Sequence, residues 1–146
     1  MTPQRVTLIT LGVSDLERAR KFYAGLGWRP TSQQEGVCFY QINGLVLGLF
    51  GLEPLAKDQG RPDAKLGTGA MTLAQNFTTE AEVDAAYAKA LSVGATALKA
   101  PEKVFWGGYS GYFTDPDGHV WELAMNPFWP LNEDGSLTLP TPPDAD

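Results

Sequence analysis

Hydrophobic positions along this chain change period several times, and each change marks an element. Residues 6–13 are rich in β-branched and aliphatic side chains and read as a short strand. Ser14 and Glu17 then stand at capping-box spacing, and Leu16, Ala19, Phe22, Tyr23 and Leu26 follow at helical intervals. Gly25 and Gly27 end that helix, and Trp28-Arg29-Pro30 opens an extended segment. Val37–Ile42 and residues 45–50 are two strands joined by Asn43-Gly44, a strong hairpin signal. The pattern is βαβββ.

The same order restarts at Gly69. Residues 70–75 read as a strand, Thr79 and Glu82 form a second capping box, and Val83, Ala86, Tyr87, Ala90 and Leu91 share one helical face. After Gly94 come a short extended piece at residues 96–98 and a glycine-rich loop at residues 105–111. Residues 112–114 and 120–125 flank Asp115-Pro116-Asp117-Gly118, where Pro116 presets one corner of the turn and Gly118 tolerates the positive φ that closes it. The pattern predicts an α+β fold built of two βαβββ modules. Its parts are a module at residues 5–52, a polar linker or mobile lid at 53–67, a module at 68–126 and a tail at 127–146. The aromatic start of the tail is expected to pack on the domain, and residues 140–146 to be loose.

Composition narrows the function classes. With 146 residues, 43% hydrophobic and 19% charged, the chain is expected to form one soluble globular domain. A net charge of -6 without a basic cluster argues against nucleic acid, and an anionic ligand would need locally placed donors. A lone cysteine, Cys38, excludes an intrachain disulfide framework and suits a reducing compartment. No signal peptide or bilayer-length apolar run is visible, so the expectation is a cytoplasmic protein with no membrane partner. Within that plain background Glu122 stands out. It lies in a strand between Trp121 and Leu123, where a charge is costly unless paired or used.

The doubled module, with Val13-Ser14-Asp15-Leu16 and Phe22-Tyr23 at its first junction and Asp115-Pro116-Asp117-Gly118 followed by Glu122 at its last hairpin, resembles the vicinal oxygen chelate superfamily. That group holds glyoxalases, extradiol dioxygenases and bleomycin-type antibiotic-binding proteins. The resemblance covers residues 5–126 and implies a cleft between curled sheets, a metal inside it, and a homodimer as a common assembly. It also implies metal ligands on the first and last strands of each module, which here fall on Leu8, Gly48, Ala70 and Glu122. Only Glu122 offers a donor, and a catalytic metal needs about three protein ligands. No metal and no cofactor are therefore expected. Glyoxalase I's arginine for the glutathione carboxylate would fall on Gly12, so that reaction is not expected either.

Strand alternation then lists the cleft. Two turn residues at Asn43-Gly44 and four at Asp115-Pro116-Asp117-Gly118 place Thr10, Phe39, Gln41, Thr72, Phe113 and Glu122 on one inward surface. One bulged residue would invert the list for its strand. The surface is apolar with a few polar groups, which suits a small, partly apolar organic ligand. Trp106 and Tyr109 in the glycine-rich loop offer aromatic faces to such a ligand; equally, the glycines there serve only a tight bend. His119 reads as an exposed hairpin-end imidazole, and Cys38, Tyr40, Phe22, Tyr112 and Trp121 as core. Glu122 is either a hydrogen-bonded remnant or a carboxylate whose pKa burial raises, able to act as a general base. Three functions stay open: a metal-independent small-molecule-binding protein, a metal-free enzyme using Glu122 near Tyr109, and a structural or regulatory domain whose cleft Phe39, Phe113 and Phe128 close.

Overall fold

The computed structural model describes residues 2–141. Its elements run β1 (Leu8–Val13), α1 (Leu16–Gly25), β2 (Ser32–Gln34), β3 (Val37–Ile42), β4 (Leu45–Gly51) and α2 (Leu52–Asp58), then β5 (Thr72–Phe77), α3 (Glu80–Ser92), β6 (Thr96–Lys103), β7 (Tyr109–Thr114) and β8 (Val120–Met125). Two four-stranded mixed sheets result, ordered β1-β4-β3-β2 and β5-β8-β7-β6, and they do not close on one another. In each, the module's first strand lies parallel to its last, and the other pairs are antiparallel. These are the two βαβββ modules that the sequence predicts.

Helices α1 and α3 begin on side-chain caps, whereas α2 starts at Gly51 without one. Thr79 accepts from the Glu82 N–H at 3.1 Å, as its spacing predicts. In α1 the cap is one residue later than expected. Asp15 accepts from the Arg18 N–H at 3.0 Å, while the N–H and hydroxyl of Ser14 donate to Asp117 Oδ1 at 2.8 and 2.9 Å. Ser14 is thereby diverted from capping to tying the first module to the second.

A single core fuses the modules. Leu11, Cys38, Tyr40, Leu47 and Leu49 of the first sheet, Phe22 and Tyr23 of α1, Val83, Tyr87 and Ala90 of α3, and Phe113, Trp121 and Leu123 of the second sheet form one buried cluster. Cys38 is fully buried there. Because side chains alternate, the opposite sheet faces turn away from this core.

Four elements, α2, β5, β6 and β7, depart from the sequence reading. The segment after β4 carries α2, because Leu52, Leu55 and Ala56 stand at helical spacing and Pro54 is tolerated in a first turn. Strand β5 starts two residues late and leaves Ala70 outside it. Strand β6 extends to Lys103 through register shifts around Pro101, and β7 begins at Tyr109, so the glycine-rich loop shrinks to a tight bend. In that bend the Val104 N–H donates to Gly108 O at 3.0 Å, with Gly107 at a φ of 95°. Gly111 allows the bulged β6 to lie close: a Cβ there would stand 2.7 Å from Pro101 N and 2.9 Å from Lys99 O. The tail packs in part, with Asn43 Nδ2 donating to Asp134 O at 2.6 Å. Residues 142–146, most of the segment expected to be loose, lie outside the described residues.

Candidate functional site

The last hairpin decides which residues share a face with Glu122. The Asp115 N–H donates to His119 O at 3.0 Å, and Thr114 pairs with Val120, so the loop holds five residues where four were expected. One extra residue inverts β7. Tyr112 is therefore the residue opposite Glu122, and Phe113 pairs with Trp121. Phe113 is 2% exposed and stacks on Trp121 with ring planes 6° apart. Tyr109 shares its face and donates its hydroxyl to Asp84 Oδ1 on α3 at 2.7 Å. The expectation that Tyr109, Gly111 and Phe113 share a face with Glu122 is thus corrected, and Tyr112 moves from the expected core to the face of Glu122.

Across the second sheet, Ala74, Glu122, Tyr112 and Lys99 stand in one cross-strand row. Burial first, and then the nearby Glu122 carboxylate, push the Tyr112 phenol upward, while Lys99 pulls it down. Lys99 is itself held by Glu102 at 3.1 Å. Glu122 is half-buried and has no ion pair among the described residues. A carboxylate, a protonated phenol and an ammonium in sequence can bind a polar group or relay a proton. Thr72 lies on this same face, opposite Val120.

The other residues expected to line a cleft lie on the first sheet. Thr10 pairs with Gly48, Phe39 with Gly48 and Gln41 with Val46. The Phe39 ring covers Gly48, where a Cβ would stand 3.0 Å from the ring and 3.5 Å from Thr10 Oγ1. The Gln41 amide donates to Ile42 O and Leu45 O at 3.0 and 3.2 Å, which fixes its carbonyl end outward. Trp106 lies on Gly108, and Phe128 on Gly107 at the far end of β7. With Phe113 in the core and Phe128 at that bend, the three phenylalanines do not converge to close a cleft. Two cavities, about 630 and 610 Å³ in volume, lie against β1 and β5; neither is lined by Glu122 or Phe39.

The residues at the metal positions do not fit a metal. The register makes Thr72, rather than Ala70, the counterpart of Leu8, since Leu8 pairs with Val46 and Thr72 with Val120. Leu8, Gly48, Thr72 and Glu122 then supply one carboxylate and one neutral hydroxyl, short of the three ligands a catalytic ion needs. Among the described residues, no three His, Cys, Asp or Glu side chains converge.

Residues that the sequence reading took as turn formers weld the modules together instead. Asp115, 2% exposed, accepts from the Tyr23 hydroxyl at 2.7 Å, and Tyr23 accepts from Trp121 Nε1 at 3.1 Å. Asp117 binds Arg18 at 3.0 Å beside Ser14. His119 is half-buried rather than exposed, with Nε2 2.7 Å from Gly12 O. A carbonyl only accepts, so Nε2 carries the proton.

Paired βαβββ modules, each a mixed sheet backed by a helix on the side of the shared core, define a glyoxalase-like protein. The profile of the Glyoxalase/Bleomycin resistance protein/Dioxygenase superfamily matches residues 5–123, and the chain belongs to that superfamily. It is 39% identical to a glyoxalase-related enzyme from Fulvimarina pelagi, with a TM-score of 0.89 over 95% of this chain and 100% of that one. It is 30% identical over 125 residues to the metallothiol transferase FosB of Lysinibacillus sphaericus, covering 84% of this chain and 83% of the relative. A lactoylglutathione lyase from Agrobacterium tumefaciens, at 22% identity and a TM-score of 0.67 over 90% of this chain and 100% of that one, shares the fold.

Proposed function

We propose that this protein binds a small, partly apolar organic molecule without a metal, and that it does so as a homodimer. The observation that carries the reading is the Glu122–Tyr112–Lys99 row on an open face of the second sheet, with Leu8, Gly48 and Thr72 at the other metal positions of the two sheets. In one chain the helix-side faces are consumed by the shared core, which leaves the faces bearing Thr10, Phe39 and Gln41 and bearing Thr72, Tyr112 and Glu122 each half of a cleft. A second copy of the chain supplies the missing half to each. The relative named as a metallothiol transferase supports a small-molecule role, but this chain lacks the donor set for an ion.

The test is a thermal-shift and calorimetric screen of small aromatic acids and amines. For a hit, Glu122→Gln weakens binding by about 1–3 kcal/mol, the range for losing a charge-assisted hydrogen bond, without lowering the melting temperature of the free protein. Chelators leave that temperature unchanged. One tightly held divalent ion per chain, lost in Glu122→Gln, would overturn the metal-free reading.

A second reading is favoured by one feature: the Tyr112 phenol stays protonated beside a carboxylate. In it, Glu122 is the general base and Tyr112, replacing Tyr109, the acid of a metal-free lyase or isomerase. Turnover that vanishes in both Glu122→Gln and Tyr112→Phe separates this enzyme from a binding protein.

A further inference from the structure

The chain between the modules roofs a cavity apart from the Glu122 row, at the C-terminal end of β1. Its volume, about 630 Å³, is that of a small-ligand site. Thr10 and Gly12 lie at its floor, and Leu52, Leu55, Leu66 and Val120 give it apolar walls. Leu52 and Leu55 reach so close to Gly12 that a Cβ there would stand 2.8 and 3.1 Å from them, so α2 occupies the space any larger residue would need.

Two cations line the same cavity, Arg61 and Lys65. The Arg61 guanidinium donates from Nε and Nη2 to Gln59 Oε1, with Nε at 3.0 Å, so a neutral amide orients it and does not cancel its charge. Neither cation is ion-paired among the described residues, whereas Arg18, Arg20, Lys99 and Lys103 are. The one carboxylate at the cavity, Asp117, takes Ser14 and the Arg18 guanidinium on Oδ1, so its charge is met by Arg18, while its Oδ2 is buried without a hydrogen-bond partner. On a chain of net charge -6, two uncompensated cations beside an apolar wall form the locally placed donor set that an anionic ligand requires.

We infer that this cavity binds a small anionic amphiphile, its oxyanion head held by Arg61 and Lys65 and its apolar body laid against Leu52, Leu55 and Leu66. Carboxylate and phosphate heads share the chemistry, since a guanidinium fork and an ammonium accept either. The site does not use the Glu122–Tyr112–Lys99 row, although Thr10 borders both this cavity and the proposed cleft, so Glu122→Gln separates the two.

The experiment is isothermal titration calorimetry on the full-length protein with octanoate, octyl phosphate and, as the uncharged control, octanamide. At least one anion binds, the tighter one identifying the head group, and octanamide binds about tenfold more weakly or less. The double variant Arg61→Gln/Lys65→Gln loses about tenfold or more in anion affinity, keeps its melting temperature, and binds octanamide as before. Lys21→Gln on α1 and Glu122→Gln leave anion binding unchanged. Three results would each refute the inference: no heat with either anion, equal affinity for octanamide, or a double variant that binds like the parent.

Discussion

The Tyr23 hydroxyl is the smallest unit on which the architecture turns. It donates to Asp115 Oδ2 at 2.7 Å and accepts from Trp121 Nε1 at 3.1 Å, both within the core. Tyr23→Phe keeps the ring and removes both bonds, leaving a buried carboxylate oxygen short of its donor. The expected loss is about 1.5–3 kcal/mol in urea unfolding; an unchanged midpoint would mean that water repairs the gap. Tyrosines also set the alkaline limit. All five, Tyr23, Tyr40, Tyr87, Tyr109 and Tyr112, have phenols displaced upward, four by burial first. Tyr109 is held up to about 12, chiefly by its hydrogen bond to Asp84. The folded chain thus retains phenolic protons that the unfolded chain releases near pH 10, so this stabilisation is whole below about pH 10 and is lost as pH climbs further. Tyrosinate absorbance should therefore rise together with unfolding. A tyrosine ionising near pH 10 in the intact fold would contradict this.

At the scale of elements, legibility followed loop length. Asn43-Gly44 admits a single tight turn, so the register of β3 on β4 was readable to the residue, with Phe39 opposite Gly48 and Gln41 opposite Val46, although β4 runs one residue beyond its expected end. Asp115-Pro116-Asp117-Gly118 suggests four loop residues, but His119 joins them because two Asp115 oxygen bonds, to the Asp117 and His119 N–H groups, wrap the loop around one carboxylate. That wrapping is tertiary: Asp115 is placed by Tyr23, which no local pattern near the hairpin records. Helix α2 was masked by Pro54, which a first turn tolerates, and by Gly60, which lies just past its end; β6 was masked by Pro101, which sits at a register shift. The five-residue loop makes a sharp prediction. Phe113→Ala should cost about 3–5 kcal/mol, as for a core aromatic, and Tyr112→Phe less than about 0.5 kcal/mol. Comparable costs in thermal melts would mean that the strand's two faces are assigned wrongly. Gly111→Ala, forced against the backbone of Pro101 and Lys99, should lose about 1–3 kcal/mol.

For the whole molecule, the proposed homodimer links assembly to binding. Ligand affinity should fall as the protein is diluted through its dissociation constant, measured by sedimentation; a monomer that binds as tightly as the dimer would sink the shared cleft. Added nickel, zinc or cobalt should not elicit isomerisation of the methylglyoxal–glutathione hemithioacetal, because Leu8, Gly48 and Thr72 cannot hold the ion and α2 fills the space beside Gly12. Turnover that survives repeated purification would show otherwise.

The weld at Tyr23 also imposes an order on synthesis. Its partners lie 92 and 98 residues further along the chain. At about 5–20 residues per second, they leave the ribosome roughly 5–20 s after α1 does. Through that interval Phe22 and Tyr23, whose rings belong beside Phe113 and Trp121, have no finished surface to rest on. The first module is a waiting half, its greasy side shown to every chaperone and neighbour until the last hairpin arrives.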